Sequence, residues 1–348
     1  MAQVSILTNS AEFVRPGSGF EPSWQGEVRT AVRDAGELCR RLGLPADVAD
    51  AAAGGAGQFP VFVPPSYLAR IGRGDPRDPL LRQVLPDRAE TAEIPGFSRD
   101  PIDDTAATLQ PGVLQKYAGR ALLIATGACA VHCRYCFRRH YPYQEAPHSD
   151  SAWDSALASI GADTSITEVI LSGGDPLMLV DQRLAALVEK IAKVPHVERL
   201  RVHTRLPIMI PSRVTDRLLT LLTNTRLTPV AIIHANHAQE LDEVVARSLS
   251  RMQLAGILLL NQAVLLRGVN DSVGSQVALS ERLVRMGVLP YYLHQLDRVQ
   301  GAAHFEVPIA EGKKIIAEMR DKLPGYMVPK YVQEIPGELS KTVLDSNP

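Results

Sequence analysis

The sequence has few cysteines, no excess of charge of either sign and no long apolar run. Only 4 of its 348 residues are cysteine, and the formal net charge is -1. A near-neutral chain lacks the basic surface that neutralises nucleic-acid phosphates, so we expect no nucleic-acid partner. No apolar run reaches the roughly 18 residues of a membrane span, and no basic-then-apolar secretory signal opens the chain. We therefore expect a cytoplasmic protein without a membrane partner.

The sequence does contain enough apolar residues for a large core, at 45% of the chain. From Arg120 onward, short apolar runs alternate with segments whose apolar residues recur every three or four positions. These runs are "ALLIAT", "ITEVILSG", "VERLRVHT", "TPVAIIHAN", "GILLLNQAVLL" and "LPYYLHQLD". Strands that alternate with helices predict a parallel sheet, and six such units predict an α/β partial (βα)6 barrel of TIM-like type. We expect residues 1–115 to form a helical and loop region that wraps this barrel, which residues 116–348 build.

Polar residues gather where these predicted strands end. They are Ser172 with Gly173, Gly174 and Asp175, then His203 with Arg205, His234 with Asn236, Gln262, and His294 with Asp297. Each alone is also typical of an ordinary turn. Together they predict a shared pocket, because barrel enzymes carry their active sites at the carboxyl ends of the strands.

Three of the four cysteines form a C-x3-C-x2-C array of Cys129, Cys133 and Cys136. In a reducing compartment, clustered thiols favour metal ligation over disulfides. A structural zinc site needs four ligands, which His132 or His140 would have to complete. Three thiolates also hold a [4Fe-4S] cluster with one iron open to a ligand, and the array follows the first barrel strand, so this alternative is favoured. The fourth cysteine, in the helical segment "EVRTAVRDAGELCRRLGL", is expected to be a buried apolar residue.

Longer motifs run through nearly the whole chain. They include "VPPSYLARIGRGDPRDPLLRQVLP", "CRYCFRRHYPY", "LSGGDPLM", "HTRLPIMIPSR", "HANHAQEL", "LNQAVLLRGVND", "PYYLHQLDRVQGAAHF" and "GELSKT". With the cysteine array, they resemble the radical S-adenosylmethionine enzymes, and within these the lysine 2,3-aminomutases. The nearest resemblance is to the type that serves modification of elongation factor P.

This resemblance implies a [4Fe-4S] cluster held by the three clustered cysteines, with S-adenosylmethionine on the open iron. The positions that match the S-adenosylmethionine site are Ser172, Gly173, Gly174, Asp175, His234 and Gln262. Glycine suits a close approach of a ligand to the backbone. Aspartate before proline is equally typical of a helix cap, so Asp175 has that second interpretation.

The resemblance also implies pyridoxal 5'-phosphate, bound covalently through Lys341 in "PGELSKT". Lys330 in "VPKYV" is the rival lysine. Lys116, Tyr117 and Arg120 match the segment that holds the cofactor phosphate, a task that suits cationic donors. The family often has arginine where this chain has Lys116.

For the substrate, the resemblance implies that Arg138 binds the carboxylate of lysine, for which a guanidinium offers a bidentate fork. Its neighbour Arg139 is expected to be a surface charge. Asp297 and Glu334 match the acidic positions that receive the distal ammonium. The catabolic enzymes have aspartate at the second position, where this chain has glutamate.

The function implied is conversion of (S)-α-lysine to (R)-β-lysine by a radical 1,2-amino shift, for attachment to elongation factor P by a partner ligase. The alternatives are a glutamate 2,3-aminomutase, a catabolic lysine 2,3-aminomutase, and a non-enzymatic zinc or electron-transfer iron-sulfur protein. A reductant such as flavodoxin is an expected partner. Because the chain lacks the extra cysteines and C-terminal extension of the catabolic relatives, we expect a monomer or loose dimer.

Overall fold

A computed structural model describes residues 23–57, 59–143 and 150–345 of the chain. The expected regions 1–115 and 116–348 thus extend beyond the described residues at both ends. The α-helices within the described ranges are α1 (Trp24–Arg29), α2 (Ala35–Leu42), α3 (Ala46–Gly55), α4 (Pro65–Leu68), α5 (Pro79–Arg82), α6 (Asp150–Ala162), α7 (Asp181–Ala192), α8 (Leu206–Met209), α9 (Asp216–Thr223), α10 (Glu243–Leu254), α11 (Val273–Arg285) and α12 (Ile309–Arg320). None of them is long and apolar enough to cross a membrane.

The strands of the described residues form one sheet, in which each strand pairs with the next along the chain. They are β1 (Thr108–Gln110), β2 (Val113–Leu114), β3 (Arg120–Thr126), β4 (Glu168–Gly173), β5 (Arg199–Thr204), β6 (Thr228–Ile233), β7 (Leu258–Val264), β8 (Leu289–His294), β9 (Lys330–Gln333) and β10 (Thr342–Val343).

Strands β3 to β9 run parallel, and antiparallel strands flank them at both ends. A sheet whose parallel strands follow one another in chain order, with helices between them, is the topology of a (βα) barrel. Within the described chain the end strands β1 and β10 do not pair with each other, so the barrel is partial. The α/β partial-barrel expectation is confirmed.

The helices between the strands begin where the sequence supplies caps. The side chain of Thr215 caps α9, Asp242 caps α10 and Ser272 caps α11 by accepting hydrogen bonds from first-turn backbone N–H groups. Each helix buries a row of leucines or other apolar residues against the sheet. Because the strands from β3 to β9 run parallel, their carboxyl ends lie together at one edge of the barrel.

Two strand predictions were incomplete. The region before residue 115 was expected to hold helices and loops alone, but β1 and β2 form a hairpin that extends the sheet next to β3. Its turn contains Pro111 and Gly112, the latter at a φ of 82°, which glycine adopts readily. A seventh parallel strand, β9, was also missed because its four residues are too few to show a period. The boundary between residues 115 and 116 stays a prediction.

Candidate active site

A cavity of about 510 Å³ lies at the carboxyl ends of the parallel strands. The residues expected to hold the cluster, the two other cofactors and the substrate all line it, whereas His140, a candidate zinc ligand, and Asn236, from the strand-end set, do not. Those that line it are Cys129, Cys133, Cys136, Lys116, Tyr117, Arg120, Arg138, Ser172, Gly173, Gly174, Asp175, His234, Gln262, Asp297, Glu334 and Lys341. The expected shared pocket is therefore present, at the end of the barrel where such sites occur.

The cysteine loop follows β3 and is fastened to the N-terminal region by its backbone. The N–H groups of His132 and Arg134 donate to the carbonyls of Phe62 (3.2 Å) and Gln83 (2.9 Å). Burial, and then the neighbouring Cys133 thiol, raise the pKa of Cys136 to about 11. Without a metal this thiol is therefore protonated, and ligation of a metal would release its proton.

The thiols are not arranged as a finished metal site. No group of three or more His, Cys, Asp or Glu side chains has metal-site spacing in the ranges that the structure describes. The three thiolates of a [4Fe-4S] cluster bind three different irons, so this spacing bears on a single-ion site such as zinc and not on the cluster.

Each histidine that could complete a zinc site has one ring nitrogen bound to a backbone carbonyl. His132 Nδ1 is hydrogen-bonded to the Pro60 carbonyl (3.0 Å), and the ring packs against Phe59 with centroids 4.9 Å apart. His140 Nε2 is hydrogen-bonded to the Gln300 carbonyl (3.1 Å). Such a contact leaves the other ring nitrogen as the ligand atom, so these hydrogen bonds do not distinguish zinc from the cluster.

Arg139 is not a surface charge, so that expectation was wrong. Its guanidinium is buried and donates to Glu90 Oε2 (2.7 Å), and Arg134 donates to the same carboxylate (2.6 Å). Glu90 lies in the N-terminal region and was not singled out from the sequence. One buried carboxylate thus fixes two arginines of the cysteine loop, because an unpaired buried charge would be costly.

The two glycines after β4 pack against the segment that leads to Cys129. A Cβ at Gly174 would lie 2.3 Å from the Ala128 carbonyl oxygen, and one at Gly173 would lie 2.6 Å from that of Thr126. Gly173 also has a φ of 114°. Both positions therefore require glycine because the neighbouring backbone leaves no room for a side chain. This requirement holds whether or not a ligand also contacts these residues.

We expect Gly174→Ala to displace the Ala128 backbone and with it Cys129, at a cost of about 1 to 3 kcal/mol of overpacking. Iron per chain after anaerobic reconstitution should fall. Gly161→Ala is the matched control, since no atom lies within 4 Å of a Cβ there. Equal iron content in the two variants would contradict this expectation.

Asp175 acts as a helix cap in the structure. Its carboxylate is buried and accepts hydrogen bonds from the Leu177 N–H (3.0 Å), the Thr204 hydroxyl (2.8 Å) and the Arg205 N–H (2.7 Å). The capping interpretation is the one that these contacts favour, because protein donors already engage both of its oxygens.

Arg138 faces the cavity but already has a carboxylate partner. Its Nε donates to Asp104 Oδ2 (2.7 Å) and its Nη1 donates to Ser172 Oγ (3.2 Å). Burial opposes the charge of Arg138, but Asp104 outweighs it and raises the pKa of the guanidinium. Asp104 comes from the N-terminal region and was missed from the sequence, since nothing in its local pattern distinguishes it from a loop aspartate.

Two lysines and two carboxylates meet at the other side of the cavity. Lys116 Nζ lies 2.9 Å from Asp104 and 2.8 Å from Glu334, and Lys341 Nζ donates to the other oxygen of Glu334. Burial acts to raise the pKa of Glu334, but Lys341 and Lys116 outweigh it and lower the pKa to about 2. Lys330, the rival to Lys341, also lines the cavity but begins β9 with an exposed side chain.

At Asp297, unlike at Glu334, the nearby lysines do not outweigh the effect of burial on the pKa. Burial, and then the charge of Glu334, raise the pKa of Asp297 to about 7. Asp297 and Glu334 also line a second cavity of about 190 Å³ on the other side, together with Arg298 and the segment from Gly96 to Pro101. The two acids therefore form part of a wall between the main cavity and this smaller one.

Three histidines at strand ends line the main cavity: His294, which is buried, and His203 and His234, which are partly buried. Burial lowers the pKa of His234 and of His294 to about 3, so both are neutral. His234 is hydrogen-bonded to the Tyr135 hydroxyl (2.9 Å). The Nε2 atoms of His203 and His294 have no partner within the described chain.

Curated relatives cover almost the whole chain. It is 45% identical over 336 residues, 96% of this chain and 98% of the relative, to the L-lysine 2,3-aminomutase of Escherichia coli. It is 43% identical to the Haemophilus influenzae enzyme of the same name, over 93% of this chain and 96% of the relative. The chain belongs to the L-lysine 2,3-aminomutase family. A family model described as a 4Fe-4S single cluster domain matches residues 118–201, which contain the cysteine array.

Membership in the L-lysine 2,3-aminomutase family confirms the resemblance and the expectation of a radical S-adenosylmethionine aminomutase, an isomerase. It also agrees with the expected cofactors of the family, which are the [4Fe-4S] cluster, S-adenosylmethionine and pyridoxal 5'-phosphate. A relative from Clostridium subterminale, also named L-lysine 2,3-aminomutase, is 33% identical over 93% of this chain and 78% of its own length. The non-enzymatic alternative is therefore set aside.

Proposed function

We propose that this chain converts (S)-α-lysine to (R)-β-lysine in the cavity at the top of the barrel, with S-adenosylmethionine and pyridoxal 5'-phosphate bound there together. The observation that carries the proposal is the meeting of thiols, lysine and acidic residues in one cavity. Cys129, Cys133 and Cys136 lie at one side, and Lys341, Glu334 and Asp297 line the other.

The donor set fits the cofactors. Three thiol ligands leave one iron of a [4Fe-4S] cluster for S-adenosylmethionine. Lys341 reaches the cavity with its ammonium on a carboxylate, a contact that positions the amine for covalent attachment of pyridoxal 5'-phosphate. When bound, the reduced cluster with S-adenosylmethionine supplies radical chemistry, and pyridoxal 5'-phosphate carries the migrating amino group.

Cationic side chains for the phosphate lie near Lys116. The Arg120 guanidinium lies over the Tyr117 ring, 5.1 Å from its centroid, and Arg201 lines the same part of the cavity. Arg201 pairs with Glu168 and was not singled out from the sequence. We propose that Arg120 and Tyr117 hold the phosphate, with Lys116 leaving its carboxylate partners to join them.

The substrate fits between Arg138 and the acidic pair. Arg138 directs Nη1 toward the cavity side at Ser172, where a carboxylate would find a guanidinium edge. Asp297 and Glu334 at the opposite side suit the distal ammonium of lysine. Once pyridoxal 5'-phosphate neutralises Lys341, Glu334 loses one cation and becomes available to the substrate.

The same acids argue against a glutamate 2,3-aminomutase. In the cofactor-free protein, Lys341 and Lys116 outweigh burial and lower the pKa of Glu334 to about 2. Once the cofactor engages both lysines, the distal ammonium of a bound lysine supplies the missing cation to Glu334. The distal carboxylate of glutamate would supply none and would place a further acidic group beside Glu334 and Asp297. A catabolic lysine enzyme shares the chemistry proposed here and differs in the fate of its product.

The decisive experiment is an anaerobic assay of the reconstituted enzyme with lysine, S-adenosylmethionine, pyridoxal 5'-phosphate and a chemical reductant. Chiral, mass-resolved chromatography should detect (R)-β-lysine. Glutamate replaces lysine in a parallel reaction, and S-adenosylmethionine is omitted from a third. Formation of β-glutamate, or of β-lysine without S-adenosylmethionine, would contradict the proposal.

We further propose a cytoplasmic enzyme that acts as a monomer or loose dimer, takes its electron from a protein such as flavodoxin, and supplies β-lysine for elongation factor P. The support is the resemblance of motifs such as "PYYLHQLDRVQGAAHF" and "GELSKT" to the aminomutases of that modification. Deletion of the gene should remove the β-lysyl mass from elongation factor P, and added (R)-β-lysine should restore it. Restoration by α-lysine alone would contradict this role.

Binding of lysine should depend on pH through Asp297. Its pKa is raised to about 7, first by burial and then by Glu334, so the carboxyl is largely protonated below that pH. The ammonium of lysine, with a pKa of about 10.4, binds the ionised form, so KM should fall roughly tenfold between about pH 6 and about pH 8. Asp297→Asn should have a higher KM without this pH dependence. The same slope in the variant would assign the titration to another group.

A further inference from the structure

The side chain of Arg205 contacts one of the three clustered thiols. Its Nη1 donates to Cys133 Sγ at 2.8 Å. Arg205 follows β5 at the edge of the cavity and is buried. Its Nε has no hydrogen-bond partner within the described residues. This second N–H of the guanidinium is therefore free to donate to Cys133 Sγ in a cluster-bound position of that sulfur.

Polar contacts behind Arg205 hold it in this orientation. Its Nη2 donates to Glu240 Oε2 (2.8 Å) and to Gln83 Oε1 (2.6 Å). Glu240 is itself fixed by the backbone N–H groups of Asn236 (2.9 Å) and His237 (3.1 Å). Glu240 and Gln83 thus hold Nη2 of the guanidinium in place, while Nη1 points at the sulfur of Cys133.

We propose that Arg205 is a positioning residue that sets the reduction potential of the iron-sulfur cluster through its hydrogen bond to Cys133, with Glu240 limiting the effect. This inference rests on the proposed cluster ligation and not on the substrate. Reduction adds negative charge to a cluster and its thiolates. A cationic donor on one thiolate stabilises that charge, and so makes the potential less negative.

The carboxylate of Glu240 acts in the opposite direction. It neutralises Arg205 at a distance of 2.8 Å and so weakens the field at the sulfur, while keeping the guanidinium in place. Removing each partner should therefore move the potential in opposite directions, whereas a purely structural pair would give no such sign reversal.

The chain contains a matched control in Arg134 and Glu90. This pair is equally buried, with Arg134 Nη2 2.6 Å from Glu90 Oε2, and Arg134 lies next to Cys133 in sequence. The donors of Arg134 go to Glu90 and to the carbonyls of Phe59 and Pro60, and none goes to a thiol. Arg134→Lys therefore disturbs a buried ion pair beside the loop without removing a contact to sulfur.

The test is an anaerobic redox titration of the reconstituted holoenzyme without lysine, followed by the electron paramagnetic resonance signal of the reduced cluster. Iron content is measured on every variant. Arg205→Gln should shift the midpoint to a more negative value, and Glu240→Gln should shift it to a less negative one. A change of tenfold in the reduced-to-oxidised ratio at fixed potential corresponds to about 59 mV for one electron.

The double variant Arg205→Gln/Glu240→Gln restores the local charge but not the hydrogen bond, so its midpoint should stay more negative than that of the wild type. If Arg205→Gln does not hold the cluster, Arg205→Lys replaces it and should give a smaller shift of the same sign. Arg134→Lys should lower the iron content, because Arg134 holds the cysteine loop, but the midpoint of the clusters that assemble should be unchanged. An unchanged midpoint in the Arg205 variants, or the same shift in Arg134→Lys, overturns the proposal. Because no substrate is present, this result is independent of whether the product is β-lysine.

Discussion

Lys341→Ala is expected to assemble the iron-sulfur cluster, to lose covalently bound pyridoxal 5'-phosphate, and to lose turnover by about 10³-fold or more. The cluster is spared because the three cysteines lie on the loop after β3, whereas Lys341 directly precedes β10. Turnover fails because the proposed attachment amine is lost, whereas Lys116, the other amine that Glu334 contacts, serves the cofactor phosphate in this proposal. The measurements are visible absorbance, mass after borohydride reduction and iron content.

Lys330→Ala is the control for this variant. Lys330 lines the same cavity but lies exposed at the start of β9. We expect Lys330→Ala to retain the covalent cofactor and most of the activity. If borohydride reduction instead labelled the Lys341→Ala protein and not the Lys330→Ala protein, Lys330 would be the attachment site.

The barrel could be predicted from sequence because its signals are local. Strands such as Leu258–Val264 are apolar runs bounded by helical periods, and the side chains at their ends follow at fixed short offsets. The cysteine array is equally local, with three thiols within eight positions. Features of this kind can be recognised within a short segment, without information on its contacts with distant parts of the chain.

The buried charges of the site could not be predicted in the same way. Asp104 reaches Arg138 across 34 positions, and Glu90 reaches Arg134 across 44, so no spacing rule links them. An isolated aspartate in a turn-rich stretch predicts only a loop. The pairing follows from the packing of the N-terminal region against the cysteine loop, a long-range contact that a single sequence does not display.

These missed carboxylates explain why the arginines of "CRYCFRRH" do not act alike. Arg134 and Arg139 share Glu90 and hold the loop, while Arg138 pairs with Asp104 and keeps one edge at the cavity. The resemblance separated Arg138 from Arg139, but nothing in this segment of the sequence showed which carboxylate each guanidinium would meet. A buried arginine can bind a ligand only through the N–H groups that its carboxylate partner does not already engage. The burial of each guanidinium and the position of its carboxylate therefore decide which arginine meets a ligand.

Removal of a single thiol is expected to abolish the reaction. In Cys133→Ala only Cys129 and Cys136 remain at the loop, and two thiolates do not hold a [4Fe-4S] cluster in place of three. Iron per chain and the cluster absorbance should fall to background, and S-adenosylmethionine should not be cleaved on reduction.

Cys39→Ala separates this effect from a general loss of a cysteine. Cys39 is buried in α2 among Leu38 and Leu42, and burial raises the pKa of its thiol, as expected for an inert apolar residue. Its removal should lower the free energy of unfolding by about 1 kcal/mol and leave iron content and cleavage intact. Cys133→Ala should instead lose the iron-sulfur cluster and the cleavage of S-adenosylmethionine. It should retain the binding of pyridoxal 5'-phosphate at Lys341. A Cys133→Ala protein with its full complement of iron and normal cleavage would remove the basis for radical chemistry at this loop.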